Sequence, residues 1–258
     1  MATNDLGPER RERILQAVRD RGTVRVSDLA EEFDVSAMTV RRDIGALAEE
    51  GRLERIHGGA RLRGGHVAEE PLPEAKTLLN PVAKSAIARA AAARISPGEV
   101  VGIGSGTTAL AFARQIVKVR DLTVATNCVP VAQVLWESSS AKVVLTGGDR
   151  TPSEGLAGPI ALQALEHLHL DTVVLGTHGL DIEAGCTTPN LLEAQVNRAF
   201  LQRARRSMIL ADAEKWGVVG LTTFASISDM DVLVTDPALP ASACEALEAE
   251  GVEVVVAD

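Results

Sequence analysis

Tyrosine is absent, and the aromatic residues amount to four Phe and two Trp, 2% of the chain. So few rings argue against any function that stacks bases or sugar rings on aromatic platforms. Cysteine is scarce as well. Cys128, Cys186 and Cys244 stand far apart with no paired ligand spacing, so neither a metal site nor a disulfide framework is indicated, and the thiols are expected to stay reduced. No apolar stretch approaches the ~20 residues that span a bilayer, and no signal-peptide pattern opens the chain. These absences lead to the expectation of a soluble, cytoplasmic protein with no membrane partner.

What is present is 258 residues with 46% hydrophobic content, enough for one small domain and one α/β domain, each with its own core. The net charge of −9 is unevenly placed. Residues 1–65 hold 12 Arg and 12 Asp+Glu, whereas residues 66–258 hold 14 Lys+Arg and 23 Asp+Glu. An acidic body repels a polyanion, so any phosphate contact belongs to the N-terminal arginines.

Residues 27–51 read as two short helices joined by a tight turn. Ser27 and Ser36 stand where N-cap oxygens are needed, ahead of the apolar sets Leu29/Ala30/Phe33 and Val40/Ile44/Leu47, and Gly51 supplies a left-handed stop. Val40, Ile44 and Leu47 share one buried face, which leaves Ala37, Met38, Thr39, Arg41 and Arg42 near the N-terminus of the second helix on the other faces. That end of a recognition helix enters the major groove of double-stranded DNA. Ile14, Leu15 and Val18 mark a preceding amphipathic helix from about Pro8 to Asp20. Residues 52–57 alternate like a strand, Gly58-Gly59 turns, and Ala60–Arg63 returns, making a two-stranded wing. The reading is a winged helix-turn-helix over 1–63, with DNA contacts expected from Ser36, Ala37, Met38, Thr39, Arg41 and Arg42 and, on the wing, from Arg52, Arg55, His57 and Arg61.

Gly64-Gly65 and the run Glu70-Pro71-Leu72-Pro73 mark a linker over 64–75. In 76–258 a helix at about 82–94 is followed by apolar strands alternating with helical stretches: Val100–Ile103, Leu122–Ala125, Lys142–Leu145, Thr172–Leu175, Ser207–Leu210, Val232–Val234 and Val252–Val256. Such alternation predicts an α/β domain with a mainly parallel sheet. The strand ends carry Gly104-Ser105-Gly106-Thr107-Thr108, Thr126-Asn127, Gly147-Gly148, Gly176–Gly179 and Ala211-Asp212, and in a parallel sheet these ends gather at the ligand-binding edge. A helix starting near Thr108 would aim free N–H groups at the glycine loop, an anion site. No Lys follows the glycines as in a Walker loop. Gly104–Ala109 fits the loose dinucleotide pattern, but Asn127 stands where the acidic ribose partner belongs, so a smaller phosphorylated metabolite fits better and no cofactor is called for.

Two segments together resemble one family. Glu9–Leu15, Thr39–Ile44 and Arg55–Ala60 resemble the N-terminal domain of DeoR-type bacterial transcriptional regulators, and Gly104–Thr108, Thr126-Asn127, Gly147-Gly148, Gly176–Asp181, Glu193 and Ala211–Lys215 resemble their effector domain. The resemblance implies a sugar-operon repressor whose second domain is similar to ribose-5-phosphate isomerase in fold and binds a phosphorylated sugar. It places Gly104, Ser105, Gly106, Thr107 and Thr108 on the phosphate, with Asn127, Asp181, Glu193 and Lys215 around the sugar; Gly147 and His178, on loops at the same strand ends, are expected in the pocket as well. The chain departs from the family at Gln195, where Glu is common, at Trp216, where Phe is usual, and at His178, where a smaller residue is expected. Lys84 fits a family position but is expected to be structural on its helix.

An isomerase carrying a DNA-binding appendage is the alternative. Enediol chemistry needs a carboxylate base and an electrophile, which the isomerase pattern supplies with an Asp-rich run followed by Lys-Gly-Gly. Here Gly176–Asp181 keeps one carboxylate and Gly185–Thr188 has no lysine. The chain is therefore read as a regulator without catalytic residues. A homo-oligomer, dimer or tetramer, is expected, because one winged domain reads only a few base pairs.

Overall fold

The computed structural model describes residues 7–21, 23–49, 52–56, 58–62, 80–138 and 140–257. Gly51, His57 and the linker at 64–75 lie outside the described residues. The chain divides into two compact units, 1–68 and 69–258.

In the first unit, α1 (Gly7–Arg21), α2 (Val26–Glu32) and α3 (Ala37–Glu49) enclose a core of Ile14, Leu15, Val18, Leu29, Val40, Ile44 and Leu47. These are the positions that helical periodicity marked. Ser36 caps α3, accepting the Thr39 amide on its Oγ at 3.1 Å. Ser27 does not cap α2. That helix begins one residue earlier, at Val26, and the Ser27 hydroxyl donates to Asp28 instead. The cause is a strand that periodicity could not show: β1 (Thr23–Arg25) pairs antiparallel with β3 (Gly59–Leu62), which pairs in turn with β2 (Leu53–Ile56). The wing is thus three-stranded, and β1 delivers the chain into α2 with the Val26 amide on the Gly58 carbonyl at 2.8 Å. A Cβ on Gly59 would lie 2.1 Å from the Val24 carbonyl oxygen, so glycine is what lets β1 join the wing.

The second unit is built on a seven-stranded parallel sheet. Its strands, in chain order, are β4 (Val100–Ile103), β5 (Thr123–Thr126), β6 (Lys142–Leu145), β9 (Leu170–Gly176), β12 (Ala204–Leu210), β14 (Val232–Thr235) and β15 (Glu253–Val256). Their spatial order is β15-β14-β12-β9-β4-β5-β6. Every expected strand is present, and β9 and β12 run longer than their apolar runs. Asp171 can sit inside β9 because its carboxylate accepts the Val100 amide at 2.9 Å. Helices α4 (Pro81–Ala92), α5 (Thr107–Ile116) and α6 (Val129–Ser138) cover one face, where Ile103, Val124, Val174, Met208 and Leu210 point. Helices α7 (Pro159–Leu165), α8 (Leu191–Arg203) and α9 (Ala241–Ala249) cover the other, packing on Val173, Leu175, Ile209 and Leu233. Alternate residues of β9 and β12 thus serve opposite cores, as the two-residue period of a strand requires.

Two small additions were not legible as alternating strands. A hairpin of β7 (Asp149–Arg150) and β8 (Leu156–Ala157) follows β6, and an antiparallel sheet of β10 (Gly179–Asp181), β11 (Gly185–Thr188) and β13 (Thr222–Ala225) lies at the carboxyl end of β9. Both consist of strands of two to four residues, too short to show a period. Cys128, Cys186 and Cys244 are free; burial pushes the Cys186 thiol up to about 12 and raises Cys128, so both stay protonated at neutral pH. Among the described residues no helix is long and apolar enough to cross a membrane.

Candidate functional site

The order of the large sheet fixes where a ligand can sit. From β4 the chain winds outward through β5 and β6, then returns to the other side of β4 and winds the opposite way through β9, β12, β14 and β15. The direction therefore reverses between β4 and β9, and the loops leaving these two strands part to leave a crevice at their carboxyl ends. The glycine loop leaves β4 there, and Thr177 and His178 leave β9 opposite it.

The crevice is lined on one side by Ser105, Gly106, Thr107 and Thr108. Gly106, at φ 112°, is the N-cap of α5, whose first residues are Thr107 and Thr108. Among the described residues no side chain caps this helix. Its leading amides, the positive end of its dipole and three hydroxyls therefore converge where an anion would lie. Lys84 of α4, buried, reaches the same crevice. Opposite stand His178, Glu193, Asp212 and Lys215. Glu193 lies in the first turn of α8, where Asn190 caps the helix through the Glu193 and Leu192 amides, and its carboxylate accepts the Ser153 hydroxyl. Asp212 follows β12, and its carbonyl accepts the Lys215 amide at 3.0 Å, closing the 3-10 turn at Ala213–Lys215 that carries Lys215 back to the crevice. His178 is held by its own amide, bonded to the Thr187 carbonyl at 3.1 Å.

Four residues expected in the site are not among its lining, each for a visible reason. Gly104 is packed away, since a Cβ there would stand 2.7 Å from a Leu175 methyl, and it shapes the loop from behind. Asn127 follows β5; its Nδ2 is turned to the Leu156 carbonyl, to which it donates at 3.0 Å, and pins the hairpin strand β8. Gly147 turns the chain after β6, with φ 77°, facing Ile160. Asp181 caps the β10–β11 turn, its Oδ1 accepting the amides of Glu183 and Ala184 at 2.9 and 3.0 Å. Conversely, the sequence reading set Lys84 aside as structural and omitted Asp212, Ser153 and Asn197 from the site. The signal for Asp212 was its place at a strand end; nothing local marks Ser153 or Asn197. Among the described residues, no group of three or more His, Cys, Asp or Glu is placed to hold a metal ion.

In the first unit Ser36, Ala37, Met38, Thr39, Arg41 and Arg42 come together on the N-terminal half of α3. Met38 is 66% exposed and both arginines are exposed, while Val40 and Ile44 face the core. Arg55 is exposed on β2. Arg52 forms an ion pair with Glu12 of α1 at 2.7 Å, which ties the wing to the first helix. His57 and the side chain of Arg61 lie outside the described residues.

A helix-turn-helix unit with an exposed arginine-bearing helix end, followed by an α/β unit with a polar crevice at its strand ends, has the architecture of a DNA-binding regulator with a second, sensing domain. Residues 10–64 match the model of the DeoR-like helix-turn-helix domain and residues 79–237 that of the DeoR C-terminal sensor domain. The chain belongs to the DeoR family of transcriptional regulators, and so is a regulator rather than an enzyme. It is 35% identical to a putative aga operon transcriptional repressor of Escherichia coli O157:H7, over 96% of this chain and 93% of that protein. It is 36% identical to the HTH-type transcriptional regulator GlpR of Haloferax volcanii, over 97% and 98%. It is 31% identical to the glycerol-3-phosphate regulon repressor of Escherichia coli K12, over 93% and 94%. Among solved structures, the probable sor operon regulator of Shigella flexneri aligns at TM-score 0.45 and 14% identity, over 65% of this chain and 88% of that one. A D-ribose-5-phosphate isomerase aligns at TM-score 0.40 and 16% identity, over 52% of each. Neither structural likeness is close enough to add to the family match.

Proposed function

We propose that this chain represses a sugar-metabolism operon by binding operator DNA through α3, and that a phosphorylated sugar held at the β4–β9 crevice releases it. The observation that carries the effector half of this reading is the convergence of the uncapped α5 N-terminus, the hydroxyls of Ser105, Thr107 and Thr108, and the buried Lys84 at a topological switch point. A helix N-terminus and a cation select an anion, and the hydroxyl-rich lining suits a phosphate ester. The direct test is calorimetric titration of the full chain with pentose and hexose phosphates. A saturable heat with a phosphorylated sugar and none with its unphosphorylated parent supports the reading; no heat with any phosphate ester ends it.

For the DNA half, Arg41→Ala and Arg42→Ala are each expected to weaken operator binding. An arginine on a base edge contributes about 1–3 kcal/mol and its loss relaxes specificity at that base, whereas one on a phosphate lowers the salt slope by about 0.9 per contact. Fluorescence anisotropy across a salt series separates the two. Unchanged affinity and slope in both variants would remove α3 from the interface.

We further propose a homo-oligomer, because two recognition helices about 34 Å apart are needed to read repeated half-sites. Sedimentation at micromolar concentration is expected to give a dimer or tetramer; a monomer that persists with operator present would reject this. In such an assembly the effector acts by favouring one subunit arrangement, which moves the two α3 helices out of half-site spacing.

A further inference from the structure

The half of the crevice that faces away from the phosphate loop is acidic, and one of its carboxylates is incomplete. Asp212 is 5% exposed, lines the crevice, and its Oδ1 is buried without a hydrogen-bond partner among the described residues. Glu193 beside it is buried too, but receives the Ser153 hydroxyl. A buried carboxylate oxygen without a donor is costly, so native sites leave one only where something else fills it. Among the described residues the buried ionisable groups of the crevice are Lys84, Glu193 and Asp212, one cation against two carboxylates, while Lys215 is half-buried and Glu214 exposed. A phosphate adds about −1.5 to −2 more at neutral pH. With a neutral sugar, the loaded crevice would hold a strong excess of negative charge around an undonated oxygen.

Building on the sugar-phosphate reading above, we propose that the effector is a phosphorylated amino sugar with a free ammonium group. Its phosphate lies at the α5 N-terminus and its ammonium donates to Asp212. Asp212 is then the specificity-determining residue. A hydroxyl in the same place satisfies the geometry of one hydrogen bond, but an ammonium also offsets the charge and makes a charge-assisted bond about twice as strong. An N-acetyl group removes that charge, so acetylated sugars are disfavoured.

The experiment is calorimetric titration of the unmodified full chain with the 6-phosphates of glucosamine, galactosamine and mannosamine, their N-acetyl forms, and glucose, galactose and mannose 6-phosphates. At least one amino sugar phosphate is expected to bind about tenfold tighter than both its neutral and its acetylated counterpart. Asp212→Asn is expected to erase that preference to within about threefold. Neutral or acetylated phosphates that bind as tightly as every amino sugar phosphate would overturn this inference while sustaining the sugar-phosphate reading. Absence of binding by all nine phosphates would instead sink that reading. A preference that survives Asp212→Asn would remove Asp212 from its cause, and the comparison of ligands on the unmodified chain stands even if the variant does not fold.

Discussion

Thr108→Asp is expected to give a repressor that binds operator with parental affinity and is released by no sugar phosphate. Thr108 is the second residue of α5, beyond the Gly106 cap, with its side chain on the crevice. A carboxylate at that position meets the same free amides and the same positive helix end that a phosphate would use, so it favours the helix by about 0.3–1 kcal/mol and does not threaten the fold. What it removes is the vacancy. Two unit charges 4 Å apart at an effective dielectric of 20 repel by about 4 kcal/mol, and a phosphate carries more than one, so effector affinity should fall by about a thousandfold or more. The arginine surface of α3 belongs to the other unit and is untouched. Thr108→Ser keeps the hydroxyl and is expected to retain release within a few-fold, which separates charge from loss of shape. Electrophoretic mobility shifts with the effector titrated over four decades would show the difference. If Thr108→Asp let go of DNA at the parental effector concentration, the phosphate would have to lie elsewhere.

The same crevice shows what a sequence does and does not disclose. The apolar runs that became β4, β5, β9, β12 and β14 were visible because a strand buried on both faces is apolar along most of its length, and the edge strands β6 and β15 kept short apolar runs although they are partly exposed. The glycine loop was visible because a close turn into a helix leaves Gly, Ser and Thr at fixed positions. Which strand ends meet, however, depends on spatial order, and order is not local. Asn127 and Asp212 both follow strands, and sequence patterning treats them alike. The sheet places β12 beside β9 and β5 beside β4, each one strand from the reversal, so strand order alone does not separate them. Side-chain direction does: Asp212 lines the site, while Asn127 donates to the Leu156 carbonyl and anchors β8. Lys84 fitted a family position but its place at the crevice was not legible for a related reason: its helix precedes the sheet in the chain, and packing against α5 brings it to the crevice. Asp181 shows the converse, since a matching motif placed it at the sugar while its Oδ1 accepts two turn amides and it is not among the residues lining the crevice.

Asp43→Ala is expected to unfold the DNA-binding unit while the sensor unit stays intact. Asp43 sits on α3 directly after Arg42, yet it is only 5% exposed and points inward. Arg10 of α1 donates to its Oδ2 at 2.6 Å, and the Arg11 Nε lies 3.7 Å from its Oδ1. The Arg10 side chain is itself only 12% exposed, so this pair is part of the seam between α1 and the recognition helix. Removing one partner leaves a nearly buried guanidinium without its carboxylate, which costs about 3–5 kcal/mol. A unit of this size buries only about 60% of its unfolded surface and has little stability to lose. Operator binding should therefore disappear although no DNA-facing side chain has changed. Calorimetry of the full chain should show the N-terminal unit melting far below its parental temperature, with the heat of effector binding preserved. The companion variant Arg10→Met with Asp43→Leu decides the cause. Replacing both charges by apolar groups of similar volume is close to neutral when a pair is buried, so the double variant should recover most of the stability and, with Arg41 and Arg42 back in place, the operator affinity. If Asp43→Ala melted like the parent, the ion pair would be incidental, and α3 would be held by Val40, Ile44 and Leu47 alone.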